Sequence, residues 1–511
     1  NTVLKNMLDQ KYVTASEYDK AKSTPIKVIS PQTTIKAPHF VFYVKSILEK
    51  EYGVKTVEAG GLKVTTTLDL DIQEKAEEIE AEEIEKLKGY DVSNAASLVI
   101  RPSTGEILTM IGSVDYFSQP YGAYNVTTAL RQPGSAIKPL NYAIGLDRGL
   151  VSAASIFLDV PTCFQAAGQP TKYCPVNYDG QFHGPVSLRY ALANSYNIPA
   201  VKMISVNGVD NFIASSSAFT ITTFTNPERY GLSLTLGGGE IRMTEFAQAF
   251  STFANTGKPR KLNSILKVQD RNGKTLYEFK DPNFVKNIKM SLKNPNFLAI
   301  PGKRVISEDT SFIISNILAD NNARSAAFGT SSQLVIPGKT VSVKTGTTDD
   351  LKDNWTIGYT PNFLTVVWVG NNDNSPMNPY LTSGITGAAP IWNRIMSYVL
   401  EKQTDIKSIQ PSTVVGRYVC TDTGTIVGLT KPEDVSCPTR FEYISRKFNN
   451  YSNLKTGKQV VAVTKDSDKL VREPAEGDSN IDLKEKTVLN DGFSFYCVDC
   501  TGDALSPTTA P

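Results

Sequence analysis

A serine acts as a nucleophile at neutral pH only when a neighbouring base can take its proton. Histidine is the usual base, yet the chain has only two, His39 and His183. They sit in Ala37-Pro38-His39-Phe40 and Phe182-His183-Gly184-Pro185, settings that suit loop or packing roles. Lysine is the alternative base. Three residues after a serine at the start of a helix, its amine lies on the same face as the hydroxyl. Ser135-Ala136-Ile137-Lys138 has this spacing, follows Pro133-Gly134, and opens an apolar run that ends at Gly149, as a helix N-terminus should.

Alone, that pattern is weak, because Ser264-Ile265-Leu266-Lys267 and Ser452-Asn453-Leu454-Lys455 repeat it. Two further patterns separate the first match from these. Ser195-Tyr196-Asn197 and Lys344-Thr345-Gly346 follow it in order, and Ser-x-x-Lys, Ser-x-Asn and Lys-Thr-Gly together are a signature of serine acyl transfer. Ser205-Val206-Asn207 and Lys455-Thr456-Gly457 are rival matches, but the second would make Lys455 serve two motifs at once. Pro337-Gly338-Lys339-Thr340 lacks the earlier glycine of a phosphate loop, since Gln333 stands there. Asn125-Val126-Thr127 and Asn450-Tyr451-Ser452 match the glycosylation pattern, which arises readily by chance. No acidic spacing suggests a metal site.

These residues need elements to hold them. Lys344-Thr345-Gly346 continues the alternation Val341-Ser342-Val343, which reads as a strand. Trp355 to Tyr359 and Leu364 to Val369 read as a hairpin across Pro361-Asn362, and Ala96 to Ile100 pairs with Glu106 to Ile111 across Pro102-Ser103-Thr104-Gly105. Val186 to Ser195 and Met243 to Ala254 read as helices between the hairpins. Strands at both ends with helices between predict an α+β domain with a mainly antiparallel sheet. Ahead of it, residues 1 to about 60 read as short helices with a helical hairpin, Leu62 to Leu68 as a strand, and Asp69 to Lys88 as an amphipathic helix whose glutamates form a solvated face. After about residue 405 the chain becomes polar and partly β, and Ser506 to Pro511 reads as a disordered tail.

The chain has 511 residues, for which a prior of about 150 per domain suggests three domains. Its 53 basic and 51 acidic side chains leave a formal charge of +2, without the basic excess expected of a nucleic-acid binder. No run approaches the roughly 18 apolar residues of a membrane span. The six cysteines form three near pairs, Cys163 with Cys174, Cys420 with Cys437, and Cys497 with Cys500, a pattern that fits local disulfides in an oxidising compartment. The last pair also reads as a redox or zinc pair, although zinc usually needs four ligands.

Arg131-Gln132-Pro133-Gly134-Ser135-Ala136-Ile137-Lys138-Pro139 resembles the active-site segment of class A penicillin-binding proteins. So do the run from Gly184 through Ser195-Tyr196-Asn197 to Ala200, the segment Leu236-Gly237-Gly238-Gly239-Glu240, and Lys344-Thr345-Gly346-Thr347-Thr348 followed by Asp353-Asn354-Trp355. Asn1 to Leu8 and Ala37 to Phe40 resemble the linker after that family's glycosyltransferase domain. The resemblance implies a β-lactamase-like fold with a five-stranded sheet. It divides the chain into a linker region (1–94), a transpeptidase domain (95–405) and a C-terminal accessory region (406–511).

The resemblance also assigns roles. Ser135 would attack the D-Ala-D-Ala carbonyl of a peptidoglycan stem peptide, with Lys138 as its base. An ordinary lysine has a pKa near 10.4, so burial and a second cation, Lys344, would be needed to favour the neutral amine. Ser195 would relay the proton to the leaving amine, and Asn197 would bind the substrate carbonyl or steady Lys138. Lys344, Thr345, Gly346 and Thr347 would receive the terminal carboxylate, and the backbone N–H groups of Ser135 and Thr347 would form the oxyanion hole. Tyr196 occupies a variable position, and Val343 stands where glycine is frequent.

No cofactor or metal is implied. The implied partners are donor and acceptor stem peptides, β-lactam inhibitors and proteins of the cell-division or elongation machinery. The implied location is the outer face of a bacterial membrane, reached through an anchor upstream of Asn1. A D,D-carboxypeptidase or β-lactamase, or a non-catalytic β-lactam sensor or scaffold, remain alternatives on the same motifs.

Overall fold

The computed structural model describes residues 2–24, 35–165, 172–280, 303–348, 350–379, 384–428, 437–447 and 454–501. Asn450-Tyr451-Ser452, the serine of the rival Ser452 pattern and the tail from Ser506 lie outside the described residues. Asn1–Lys36 and Ala37–Pro511 are two separate compact units. The first contains helices Thr2–Asp9 and Ala15–Ser23. Thr14 starts the second of these through a capping box, its hydroxyl accepting from the Glu17 N–H while the Glu17 carboxylate accepts from the Thr14 N–H.

The larger unit is organised around a five-stranded sheet in the order Ser342–Thr347, Asp353–Tyr359, Leu364–Gly370, Asn94–Ile100, Ile107–Ile111. Every neighbouring pair is antiparallel, so the α+β expectation and its sheet hold. Strands Asn94–Ile100, Asp353–Tyr359 and Leu364–Gly370 are buried along their whole length because each side chain meets helices on one face or the other. Ala95, Val99, Val343 and Val367 pack with Ile391, Trp392 and Ile395 of helix Ala388–Leu400 and with Ile79 of helix Leu70–Leu87. The opposite face, with Leu98, Trp355, Ile357 and Trp368, joins a larger core containing Leu140, Phe246, Phe250 and Ile314. Lys344 pairs with Ile357, which places it on this second face. Gly358 is bare because a Cβ there would meet the Trp392 ring at 2.3 Å.

Residues ahead of the sheet are built into the same unit. Phe40, Val44 and Leu48 of helix Pro38–Tyr52 enter the main core, and Lys63–Thr66 pairs antiparallel with Ile265–Gln269. The glutamates of helix Leu70–Leu87 correct the solvated-face reading, since Glu80 is fully buried and Glu83 nearly so. Glu83 is paired with Arg394 and Lys86. Among the described residues Glu80 has no cationic partner; it faces Ser97, and burial pushes its carboxyl up to about 8. A raised acid pKa gives stability that is complete below the unfolded value near 4.5 and is lost as pH rises toward 8. Glu80→Gln keeps the shape without the charge. It should therefore raise the melting temperature at pH 8 and leave it nearly unchanged at pH 4, as differential scanning calorimetry would show.

Beyond residue 405 lie two three-stranded antiparallel sheets. Val414–Cys420 is central in the first, between Ile426–Gly428 and Thr439–Ser445, and Ile481–Asn490 is central in the second, between Lys455–Thr464 and Phe495–Cys497. Disulfides join Cys420 to Cys437, Cys497 to Cys500, and Cys163 to Cys174.

Candidate active site

Ser135 lies in the single turn Gly134–Ile137, which leads directly into helix Lys138–Asp147. Three glycines allow its neighbours to close on it. A Cβ on Gly134 would fall 2.4 Å from the Thr347 carbonyl oxygen, one on Gly346 would fall 2.3 Å from that of Pro133, and one on Gly237 would fall 2.2 Å from the Gly134 nitrogen. Gly134 and Gly237 also have positive φ, +55° and +93°, which glycine tolerates without steric cost. The Trp355 indole N–H donates to the Gln132 carbonyl at 2.8 Å, fixing the turn against the sheet. Beneath it the Trp368 indole donates to Asp353, whose carboxyl burial raises to about 6. Arg131 stacks over the Trp368 ring and binds Asn374 and the carbonyls of Asn371 and Asn372.

Ser195 sits between helices Leu188–Ala193 and Asn197–Asn207 with φ +64°. Left-handed backbone is uncommon for a residue with a side chain and concentrates at functional sites. Here it presents the Ser195 carbonyl to Lys138, whose Nζ donates to it at 2.5 Å and to Asn197 Oδ1 at 2.6 Å. The Ser195 hydroxyl lies 3.4 Å from the Lys138 amine and 2.9 Å from the Lys344 amine. Lys344 also donates to the Thr345 carbonyl. Burial pushes the Lys344 amine down to about 7, with a smaller push from the Arg324 guanidinium. Thr347 Oγ1 accepts from the Gly384 N–H at 2.9 Å.

Lys138, Ser195, Asn197 and Lys344 therefore share one hydrogen-bonded cluster, and Ser135, Gly346 and Thr347 border it through the Gly134 and Gly346 contacts. A lysine only donates and a carbonyl only accepts, which settles the Asn197 amide: Oδ1 faces Lys138 and Nδ2 donates to the Val176 carbonyl at 2.7 Å. Asn197 thus lies between Lys138 and the Val176 carbonyl.

The rival motifs fall elsewhere. Ser264 and Lys267 are at and in a strand, Asn207 is bound to Asn141 inside the helix pair, and Lys455-Thr456-Gly457 is an exposed strand end. Thr127 of the Asn125 glycosylation pattern is fully buried and bonds Asn125 itself. His39 is packed against the Gly122 carbonyl, and burial lowers its ring to about 4. His183 is tied to Asp159 and Asp179 and stacks on Tyr196, its ring pushed upward chiefly by the Asp159 bond. Among the described residues, the one compact metal-type grouping is Cys420, Asp422 and Cys437, whose thiols are joined to each other.

Sequence reasoning missed Arg324, Asp159 and Asn177. Arg324 carries only a helical alanine-rich context, and neither Asp159 nor Asn177 lies in a recognised motif.

Together, the antiparallel sheet and the serine–lysine cluster define an active-site-serine acyl-transfer domain. The chain belongs to the penicillin-binding protein transpeptidase family, whose domain model matches residues 95–397. It is similar to penicillin-binding protein 2D of Bacillus subtilis, 29% identical over 437 residues, covering 83% of this chain and 58% of that protein. Penicillin-binding protein 1A of Clostridium botulinum is 30% identical over 429 residues, covering 77% of this chain and 48% of that one. The chain thus spans about half the length of these relatives. Among solved structures, penicillin-binding protein 1A from Haemophilus influenzae superposes with a TM-score of 0.69 at 22% identity, covering 88% of this chain and 82% of that one. PonA1 of Mycobacterium tuberculosis in complex with penicillin V gives 0.60 at 20% identity, covering 78% of this chain and 100% of that one. These likenesses show the fold.

Proposed function

We propose that the chain is a peptidoglycan D,D-transpeptidase inhibited by β-lactams. The observation that carries this reading is the Ser195 hydroxyl held between the amines of Lys138 and Lys344. A neutral lysine has two N–H bonds and one lone pair. Lys138 follows Ser135 by one turn, and with its amine held on the Ser195 carbonyl and Asn197 Oδ1 it takes the Ser135 proton as general base. Ser135 Oγ then bonds the penultimate D-Ala carbonyl carbon, and the oxyanion is received by the N–H groups of Ser135 and Thr347.

The peptide C–N bond breaks as the proton passes from Lys138 through Ser195 to the leaving D-Ala nitrogen. An amine of a neighbouring stem peptide attacks the ester in turn and restores Ser135. Lys344, Thr345, Gly346 and Thr347 receive the substrate's terminal carboxylate. Burial lowers the Lys344 amine to about 7, and an arriving carboxylate favours its protonated form.

The three disulfides support work outside the cytoplasm, at the membrane face where stem peptides are cross-linked. Among the described residues no helix is long and apolar enough to cross a membrane.

Mass spectrometry after exposure to benzylpenicillin tests the proposal. The expected result is one intact penicillin on the peptide containing Ser135, persisting for hours. Folded protein without an adduct overturns it, and rapid release with multiple turnover of a chromogenic cephalosporin would make the chain a hydrolase.

A further inference from the structure

Asn197 directs Lys138, so whatever directs Asn197 bears on the reaction. Its backbone N–H opens helix Asn197–Asn207, where helices leave N–H groups without an internal acceptor. That N–H donates to Asn177 Oδ1 at 2.7 Å. Asn177 is itself oriented: its Nδ2 donates to both oxygens of Asp159, at 3.0 and 2.7 Å, and to the Gln181 carbonyl at 2.8 Å. Asp159 is wholly buried at the end of strand Ile156–Asp159, and its Oδ2 also accepts from the backbone and ring nitrogens of His183. The carbonyl before Asn177, that of Val176, takes the Asn197 amide. One loop therefore holds Asn197 by its backbone and by its side chain.

We propose that Asn177, oriented by Asp159, is a positioning residue for acylation, setting Asn197 and, through its Oδ1, the amine of Lys138. This rests on the proposed function above. Alanine at 177 removes the acceptor of the Asn197 N–H and frees the amide to swing from Lys138. A misplacement of about 1 Å at a reacting group can cost about a hundredfold in rate. Asn177→Asp combined with Asp159→Asn exchanges donor and acceptor within the pair and keeps the acceptor of the Asn197 N–H, giving up only the bond to the Gln181 carbonyl.

The test is the second-order rate constant for acylation of the full chain by benzylpenicillin between pH 6 and 10. Asn177→Ala should be about a hundredfold slower, with the adduct still on Ser135. The double exchange should recover most of the rate. A folded Asn177→Ala that acylates within twofold of the parent overturns the inference, as does a slower variant whose rate the double exchange leaves unrestored. Should Asn177→Ala fail to fold, the double exchange decides alone, and a rate far below the parent's overturns the inference. An unlabelled parent chain would instead refute the proposed function.

Discussion

Lys138→Ala is expected to slow acylation of Ser135 by benzylpenicillin by about 10²–10⁴-fold, the usual contribution of a positioned general base. The substitution removes the only amine that both follows Ser135 by one turn and is aimed by two fixed acceptors, the Ser195 carbonyl and Asn197 Oδ1. Lys344 stands on the strand Ser342–Thr347 instead of one turn after Ser135, and its amine lies on the Ser195 hydroxyl and the Thr345 carbonyl. Lys138 is fully buried, so alanine leaves a cavity and takes the donor from the Ser195 carbonyl and Asn197 Oδ1. A loss of stability should therefore accompany the loss of rate, and rates are compared on folded protein. Time-resolved mass spectrometry of the adduct measures the rate. A variant within tenfold of the parent would remove Lys138 from the role of base.

Asp491→Ala should destabilise the chain by about 3–5 kcal/mol, the range for breaking a buried ion pair by removing one partner. Lys202 and Asp491 are both buried, with Nζ and Oδ2 at 2.7 Å, and Lys202 also donates to the Leu158 carbonyl and Ser494 Oγ. Burial already pulls the Lys202 amine downward, against the opposing pull of Asp491. Without the carboxylate the ammonium is left buried on two neutral acceptors, the Leu158 carbonyl and the Ser494 hydroxyl. Replacing both members, Lys202→Met with Asp491→Leu, should recover most of the loss, since apolar substitutes of similar volume often match a buried pair. Guanidinium denaturation of the three variants distinguishes a charge effect from a packing effect. Equal losses in the single and double variants would refute the charge argument.

This pair, with Arg189 bonded to Glu442, fastens the C-terminal sheets to the two helices that flank Ser195. In the sequence, residues 406–511 read as a polar accessory segment because a buried charge looks like any surface charge until its partner is known. Arg189 and Glu442 are 253 residues apart, and no local pattern reports such a pairing. Glu80 misled for the same reason. On the helix Leu70–Leu87 it continues a run of glutamates, and only its approach to Ser97 on the sheet distinguishes it.

What was legible rested on short-range chemistry. Met243–Ala254 matches its predicted ends because an amphipathic helix declares its own period. The sheet strands were readable from alternation and turn residues, and the cluster residues from three spaced motifs. The apolar run after Ser135 was read as one helix, and it begins as a tight turn, because Gly134 must hug the strand behind it. Val186 to Ser195 shortens to a helix Leu188–Ala193, since Gly184–Ser187 is drawn into pairing with Ile156–Asp159. The Ser195 backbone, with φ +64°, follows from the meeting of two helices, which side-chain types alone do not encode.

The glycines packed around the Ser135 turn have a meaning for mutational escape from an inhibitor. Positions 134, 237 and 346 press backbone on backbone, so any side chain there would separate the elements that assemble the cluster. A lineage under drug pressure would lose its own chemistry by changing them. Variation that spares the enzyme is left to positions outside these backbone contacts, and that is where resistance substitutions should accumulate.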